Sequence, residues 1–363
     1  MSLLGRIFTW LPGRREPVAP PAFDVASAIA DDSTDSSVVL QVPSNDDSTA
    51  ADGSAKPSAD DREAWFVPRG EPVSYAPRAL DREPIDSALH TAIVAVVREP
   101  DLELPRLPQV AQQTLALLAR PDFSVRQLAG LIEQDPMLAA AVLRMANSAL
   151  YRGVSEITRL EPAFARIGQR SLRGIVLSEN VKALAIRVTS GGERSLGHEL
   201  WQRSIASATI AARFADRVKM SEDEAFLTGL LHDIGMLAVL RIVHDYQKAH
   251  GRRVSRTLFD VLCEEWHEHL GLRLADAWNL PTPLTELIAG HHKAPAPDDP
   301  LRGQRYLLQF TDMVTAMLEY APYVPYDFFN MPCVAAMGLR DDAATRAMLM
   351  ELPAVIEGRM DLG

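Results

Sequence analysis

The sequence predicts an all-α folded region that begins near Asp86 and follows a disordered tail. From that point apolar residues recur at the three-and-four spacing of amphipathic helices. No run of alternating apolar and polar residues and no Asn-Gly hairpin signal interrupts this pattern. Helix-start signals, such as Asp135 followed by Pro136, support the same interpretation. The folded region is therefore expected to be a bundle of helices.

The charge balance argues against nucleic acid as a partner. The 363 residues include 37 basic and 48 acidic side chains, which give a formal net charge of -11, and such a charge repels phosphate backbones. Cys263 and Cys333 are far apart and show neither disulfide nor zinc-finger spacing, which fits a reducing compartment. No apolar run of about 18 residues and no signal peptide is evident. We therefore expect a cytoplasmic protein.

The tail divides into two parts. Residues 1–15 place Leu, Ile, Phe and Trp side chains beside Arg6, Arg14 and Arg15. This pattern is typical of a short amphipathic segment that makes peripheral contact with an anionic membrane or a partner protein, although a frayed terminus explains it equally well. Residues 16–85 are rich in Pro, Ser and Asp and contain too few apolar groups to fold. They predict a disordered, acidic linker.

Caps and breakers predict the helix boundaries. Ser124 and Asp135 are expected N-caps, and Pro136 occupies the first turn after Asp135. A short helix is expected from Pro162 to near Gly168. Apolar periodicity predicts further helices over residues 196–218, 222–243, 256–269, 271–278, 283–292, 305–320 and 343–358.

The segment GLLHDIG places His232 directly before Asp233 inside the predicted helix 222–243. An ionised carboxylate in such an apolar setting is costly unless it is paired or bound to a metal. Imidazole and carboxylate groups suit Mn, Fe or Zn, and a site that begins on one helix needs ligands from its neighbours. The downstream candidates are His267, His269, His291, His292 and Asp312.

These residues also have purely structural explanations. A buried His-Asp pair is most often satisfied by hydrogen bonds within the protein. His291 and His292 end the predicted helix 283–292, where histidines interact favourably with the negative end of the helix dipole. From the residue types alone, both the metal site and the structural roles are open.

Several motifs follow one another in a diagnostic order. The stretch LPRLPQVAQQTLALLARPDFSVRQLAGLIEQDPMLAAAVLRMANSALYRG contains a DP turn and the segment ANSALY. GLLHDIGMLAVL, the spacing of His267 to Gly271, the segment AWNLP and the His291-His292 doublet come later. From about residue 104 to 312 this order resembles the HDOD family, a branch of the HD superfamily of metal-dependent phosphohydrolases.

The resemblance implies a multi-helix HD-like bundle with an N-terminal helical subdomain. It places the HDOD domain at residues 86–322. The N-terminal helical subdomain would occupy about 100–195, and the HD-like subdomain about 196–322. Residues 323–363 would then form a C-terminal helical extension.

One residue departs from the pattern of the active HD enzymes. In the segment ELWQRSIASATIAARFA, Arg203 stands where the resemblance leads us to expect a histidine ligand. A guanidinium cannot bind a metal, and its charge opposes a cation. We expect Arg203 to replace the ion by pairing with Asp233 or Asp312, although residual metal binding is an alternative. The candidate metal ligands that the resemblance leaves are His232, Asp233, His267, His291, His292 and Asp312.

The sequence therefore favours a regulatory function over hydrolysis. The HDOD family is associated with bacterial signal transduction, and the GYP element of related enzymes that cleave cyclic di-GMP is absent. We expect no catalytic residue and no required cofactor, although a divalent ion (Mn, Fe or Mg) suits the candidate ligands. The expected partner is a signalling protein or a small ligand such as a nucleotide. The alternative is a metal-dependent phosphohydrolase with a degenerate site.

Overall fold

A computed structural model describes residues 85–148, 150–151, 153, 155–187, 196–318 and 328–360. Their regular structure is helical, and no strand occurs among them. The prediction of an all-α fold is thereby confirmed. The predicted amphipathic segment 1–15 and all but the last residue of the predicted linker 16–85 lie outside the described residues, so both remain predictions.

Short helices joined by tight turns make up the described chain. The helices of the first half are α1 (Ser87–Val97), α2 (Gln109–Leu118), α3 (Val125–Ile132), α4 (Pro136–Asn147), α5 (Leu160–Ile167), α6 (Gln169–Arg187) and α7 (Leu196–Arg213). Those of the second half are α8 (Glu222–Leu231), α9 (Gly235–His250), α10 (Arg256–Ala277), α11 (Thr282–Ile288), α12 (Arg302–Met317), α13 (Pro332–Ala336) and α14 (Ala343–Met360). Two 3-10 turns are Ala215–Val218 and Phe328–Asn330.

The predicted helix starts are confirmed by their capping bonds. The Asp135 carboxylate accepts hydrogen bonds from backbone N–H groups in the first turn of α4, where Pro136 lies. The Ser124 side chain accepts a hydrogen bond from the backbone N–H of Gln127 at the start of α3. Gly168 ends α5 with φ +84°, a conformation that favours glycine. Local chemistry therefore sets these boundaries.

The predicted helix 222–243 is broken at the His-Asp pair, so this boundary was wrong. α8 ends at Leu231, α9 begins at Gly235, and the pair lies in the turn between them. In this turn the backbone N–H of Ile234 donates to the carbonyl oxygen of Leu231. This is the tighter three-residue bond that is frequent at helix ends.

Helices pack closely beside the break. A Cβ atom at Gly235 would lie 1.9 Å from the carbonyl oxygen of His267, on α10. Gly271 on α10 is less tightly confined, since a Cβ atom there would lie 2.8 Å from the side chain of Ile288. Gly271 therefore lies at a contact between helices and does not end a helix. α10 accordingly runs without interruption, and the prediction of two helices meeting near residue 270 was wrong.

The His291-His292 doublet follows a helix and does not end one. The predicted helix 283–292 stops at Ile288 as α11, and both histidines lie in the subsequent turn. There Nε2 of Gln309, on α12, donates to the carbonyl oxygen of His291. Tertiary contacts with α12 therefore replace the hydrogen bonds that a longer α11 would have made. The predicted helix 196–218 is likewise shorter, because a separate 3-10 turn follows α7.

Buried apolar side chains form two clusters. The first joins helices of the N-terminal region to α8, α9 and α10, and includes Leu172, Leu230 and Leu262. The second joins α7 and α12 to the two C-terminal helices, and includes Phe310 and Leu352. The region predicted as a C-terminal extension thus shares a core with α7 and α12.

One described helical stretch, Glu222–His250, is long and apolar enough to span a membrane. Within the folded protein, 83% of the most apolar 18-residue segment of this stretch is buried. Such burial is typical of a core element, and the stretch includes the turn that carries the His-Asp pair.

Candidate functional site

Separate helices and turns bring the predicted site residues, except His269, to one point. α7 carries Arg203, α10 carries His267 and α12 carries Asp312, while the other candidates lie in the turns after α8 and α11. All these side chains are buried except Arg203 and His292, which are partly exposed. Within each of two groups the candidate ligand atoms lie within 4.8 Å of one another; the groups are Asp233, His267, His291 and His292, and His232, His291 and Asp312.

Arg203 lies against the carboxylates of both groups. Its Nη2 atom is 2.7 Å from Oδ2 of Asp233 and 3.9 Å from Oδ1 of Asp312. Burial by itself would raise the pKa of Asp233, but the charges of Arg203 and His232 hold it well below its ordinary value. Asp233 is therefore an ionised carboxylate with a guanidinium at contact distance. This is the salt bridge that the sequence analysis anticipated as one outcome of the arginine.

His232 is a second cation in this part of the site. Its Nε2 atom lies 2.8 Å from Oδ1 of Asp312 and 3.3 Å from Oδ2 of Asp233, and its Nδ1 atom lies 2.8 Å from the carbonyl oxygen of Gly229. Burial opposes its protonation, but the carboxylates of Asp233 and Asp312 outweigh burial and raise the pKa of His232 to about 10. The ring is thus an imidazolium at neutral pH and donates from both nitrogens. Together with Arg203 it balances the charges of the two aspartates.

Two of the other histidines, His267 and His291, are oriented by backbone carbonyl oxygens. Nδ1 of His267 is 2.7 Å from the carbonyl oxygen of Cys263, and Nδ1 of His291 is 3.1 Å from that of Ile288. A carbonyl oxygen only accepts, so in each neutral ring Nδ1 carries the proton and Nε2 presents a lone pair. Burial lowers the pKa of His267, which favours the neutral ring. The Nε2 atom of His267 lies 3.3 Å from that of His291 and 3.0 Å from that of His292.

These lone pairs point toward the carboxylate of Asp233. Its Oδ1 atom lies 3.3 Å from Nε2 of His291 and 3.6 Å from Nε2 of His267. Among the described residues, no hydrogen bond of good geometry reaches either buried oxygen of Asp233, although Arg203 is in ionic contact with one of them. Lone pairs that converge on a carboxylate repel one another unless a cation lies between them.

The group of Asp233, His267, His291 and His292 fits a divalent cation. Imidazole nitrogens with a carboxylate suit Mn, Fe or Zn. Histidines that bind metals usually donate their other ring N–H to a carbonyl or carboxylate, as His267 and His291 do here. The structure thus shows a cluster that could bind a metal beside a part of the site in which Arg203 already supplies the positive charge.

His269 does not join the site. Its ring packs edge-on against that of Trp266, with 5.8 Å between the centroids, and it belongs to neither group of candidate ligands. It is separated from His267 by two positions on α10, which places the two side chains on different faces of the helix.

Two residues that hold the doublet in place, Glu268 and Gln309, were not predicted from the sequence. Glu268 accepts a hydrogen bond from the backbone N–H of His292 at 3.3 Å. Gln309 donates to the carbonyl oxygens of His291 and Lys293 at 3.1 and 2.9 Å. Gln309 precedes Asp312 by three residues, and this spacing places both side chains on the same face of α12. This three-residue spacing could have indicated from the sequence that Gln309 lies on the same face as Asp312.

Comparison with known proteins identifies the family. The HDOD domain matches residues 104–294, which is more than half of the chain. The chain belongs to the HDOD family. The match contains both the N-terminal helices and the turns that carry the His-Asp pair and the doublet, so the resemblance inferred from the motifs is confirmed.

This HDOD protein shares its fold with solved structures at low sequence identity. A protein from Shewanella amazonensis, named as a suspected metal-dependent phosphohydrolase, is 22% identical with a TM-score of 0.59, over 75% of this chain and 98% of that one. A protein from Marinobacter aquaeolei, named as a suspected signal transduction protein, is 23% identical with a TM-score of 0.52, over 76% of this chain and 64% of that one.

One curated relative of this HDOD protein comes from Treponema pallidum and is named only as an uncharacterized protein. It is 23% identical over 278 residues, which cover 74% of this chain. The match spans 52% of the relative, about half of its length.

Proposed function

We propose that this HDOD protein is a regulatory module that does not hydrolyse phosphoesters and acts by binding a signalling protein or a small ligand. The observation that carries the proposal is the contact of 2.7 Å between Nη2 of Arg203 and Oδ2 of Asp233. A hydrolase of the HD type needs a metal at this carboxylate to activate water. A fixed guanidinium supplies the charge of such an ion but has no lone pair to bind one and no exchangeable position for water.

The electrostatics of the site support the same proposal. Arg203 and the imidazolium of His232 already balance the carboxylates of Asp233 and Asp312. An ion placed between these carboxylates would have to displace or approach a permanent positive charge. Metal binding should therefore be weak at His232 and Asp312, whereas the histidine-rich group around His267 could still hold one ion.

The proposed partners follow from chemistry and from a relative's name. The formal net charge of -11 disfavours nucleic acid. The relative from Marinobacter aquaeolei that shares the fold bears a name that refers to signal transduction. A signalling protein, or a small ligand such as a nucleotide, is the corresponding partner proposed for this chain.

A hydrolysis assay combined with metal analysis tests the proposal. Protein expressed with added Mn and Fe would be analysed for metal by mass spectrometry and assayed with bis(4-nitrophenyl) phosphate in Mn, Fe or Mg. The variants are Asp233→Ala and, as a matched control, Asp245→Ala, whose side chain is half exposed on α9. We expect no hydrolysis above background in any of the three proteins.

Metal-dependent turnover that is lost in Asp233→Ala and retained in Asp245→Ala would overturn the proposal. It would establish the second candidate, a metal-dependent phosphohydrolase. That candidate is favoured by one observation, the convergence of Asp233, His267, His291 and His292 within 4.8 Å. An ion bound there without turnover would fit the regulatory module, because a single ion can organise a binding site without catalysing hydrolysis.

A further inference from the structure

A cavity lies away from the Asp233 site, where the N-terminal helices meet α7 and α8. It has a volume of about 240 Å³ and is lined by α4, α6, α7 and α8, and by the end of α14. None of the candidate metal ligands lines it. A ligand in this cavity would contact the N-terminal helices, the HD-like helices and the C-terminal helix at once.

The walls are mostly apolar and include two aromatic rings. Ile175 and Ile205 are buried beneath the cavity, and the rings of Tyr151 and Phe226 line it. Leu150 is also a lining residue, and 54% of it is exposed. Small-molecule sites are typically concave and apolar, with a few polar groups that fix orientation. The cavity has this composition.

Among the lining residues that the structure describes, acidic side chains outnumber basic ones. Glu179, Glu222 and Asp223 oppose Arg170 and Arg359. The side chain of Glu179 is 14% exposed, and it forms an ion pair of 3.9 Å with Arg144. Burial raises the pKa of Glu179, although Lys182 and Arg144 oppose this effect. A cation in the cavity would stabilise this carboxylate.

The cavity already accommodates one organic cation, which is a side chain of the protein. The guanidinium carbon of Arg359, near the end of α14, lies 5.0 Å from the ring centroid of Phe226. Burial lowers the pKa of Arg359, and the charges of Glu222 and Asp223 oppose that effect. A cation over an aromatic face and near carboxylates is a favourable arrangement. The position of Arg359 shows that a guanidinium group fits against these walls.

We propose that this cavity binds a small organic cation, an ammonium or guanidinium group attached to an apolar or aromatic body. The carboxylate of Glu179 and the ring face of Phe226 would receive the charged group, and the apolar walls would receive the body. Phosphates and carboxylates are disfavoured because they would add negative charge beside Glu179, Glu222 and Asp223. The inference goes beyond the proposed function, since it concerns a different cavity and holds whether or not the Asp233 site hydrolyses phosphoesters.

Three probes that share one skeleton test the class of ligand. Binding of 2-phenylethylamine, 2-phenylethanol and 3-phenylpropionate to the full chain would be measured by ligand-observed NMR. For the amine we expect a Kd on the order of 1 mM, because it has only about ten non-hydrogen atoms. The alcohol should bind more weakly and the carboxylate not measurably. Equal binding of the amine and the carboxylate would overturn the proposal.

Variants locate the bound probe. Glu179→Gln should weaken binding of the amine about tenfold, since it removes the charge that receives the ammonium group. Glu286→Gln, at an exposed position on α11 that does not line the cavity, should leave binding unchanged. Unchanged affinity in Glu179→Gln, with a melting temperature equal to that of the wild type, would contradict the proposal.

A third variant is expected to bind the amine more tightly, which misfolding would not cause. Arg359→Met removes the internal cation that competes with the probe, and should therefore strengthen binding of the amine several-fold. Unfolding cannot produce such a gain. Weaker binding of the amine by a folded Arg359→Met protein would show that Arg359 does not occupy the place of the ligand, and would overturn the assignment.

Discussion

At the scale of single residues, Arg203 determines which part of the site can accept an ion. Its guanidinium contacts Asp233 at 2.7 Å, and it is held in a setting where its side chain is only 16% exposed. Because arginine is charged at all relevant pH values, it acts as a permanent cation beside the carboxylates. Histidine at the same position would instead offer a lone pair when neutral.

Replacing this arginine by histidine should increase metal binding. In Arg203→His we expect at least one additional equivalent of Mn or Fe per chain relative to the wild type, because the substitution removes a repelling charge and adds an imidazole ligand. Metal content after dialysis would be measured by mass spectrometry. Arg241→His, at a half-exposed position on α9, is the matched control and should bind no additional metal. Identical metal content in both variants would contradict the role assigned to Arg203.

The raised pKa of His232 predicts a loss of stability at alkaline pH in the metal-free protein. The pKa of His232 in the folded protein is about 10, above the ordinary value of 6.5. Its contribution to the free energy of unfolding is therefore complete below about pH 6.5 and is lost as the pH rises through 10. The pKa of Asp312 is lowered to about 2 from 3.8, since His232 outweighs burial. The contribution of Asp312 is therefore present above pH 3.8 and is lost as the pH falls through 2.

Urea unfolding between pH 6 and 10 measures the alkaline effect. Titration of one group changes the free energy of unfolding by at most about 1.4 kcal/mol per pH unit. His232→Gln should be less stable than the wild type at pH 6 and should show a flatter decline toward pH 10. His250→Gln, at an exposed position, should decline as steeply as the wild type. Parallel curves for the wild type and His232→Gln would exclude an imidazolium at His232.

At the scale of helices, glycines position the site by allowing close contact between helices. A Cβ atom at Gly235 would lie 1.9 Å from the carbonyl oxygen of His267 and 2.6 Å from the backbone nitrogen of Gly271. α9 and α10 therefore touch through their backbones beside the His-Asp turn. This contact brings His267 to within 3.6 Å of Asp233.

Gly235→Ala should consequently lower the free energy of unfolding by about 3 kcal/mol, because the two helices must separate to accept a methyl group. Gly130→Ala is the matched control: it lies in α3 with nothing within 4 Å of the added Cβ. It should stabilise the protein by about 0.5–1 kcal/mol through the higher helix propensity of alanine. Urea unfolding measures both, and a neutral Gly235→Ala would show that the contact between α9 and α10 is looser than described.

At the scale of the whole molecule, the two C-terminal helices belong to the same core as the helices that carry the site. Leu349, Leu352 and Ile356 of α14 are buried in the cluster that contains Ile210 of α7 and Phe310 of α12. α7 and α12 in turn carry Arg203 and Asp312. Loss of packing on α14 should therefore reduce the stability of the region that supports the site.

Two substitutions on α14 test this contribution. Leu352 is 1% exposed and Val355 is 40% exposed. Leu352→Ala should lower the free energy of unfolding by about 3 kcal/mol, through lost burial and a cavity, whereas Val355→Ala should change it by less than about 0.5 kcal/mol. Thermal and urea unfolding would be compared with the wild type. Equal effects of the two substitutions would indicate that α14 is not part of the core.

The all-α class, the family and the helix starts at Ser124 and Asp135 could all be predicted from the amino-acid sequence, because caps and periodicity act over a few residues. The motif also indicated His232 and Asp233 as candidate site residues. Tertiary packing, and not the local sequence, places this pair in a turn, because the apolar pattern that predicts a single helix continues through residues 222–243. The tertiary structure likewise decided the contact between Arg203 and Asp233, because the rotation of α7 about its axis is set by packing against neighbouring helices and not by the local sequence.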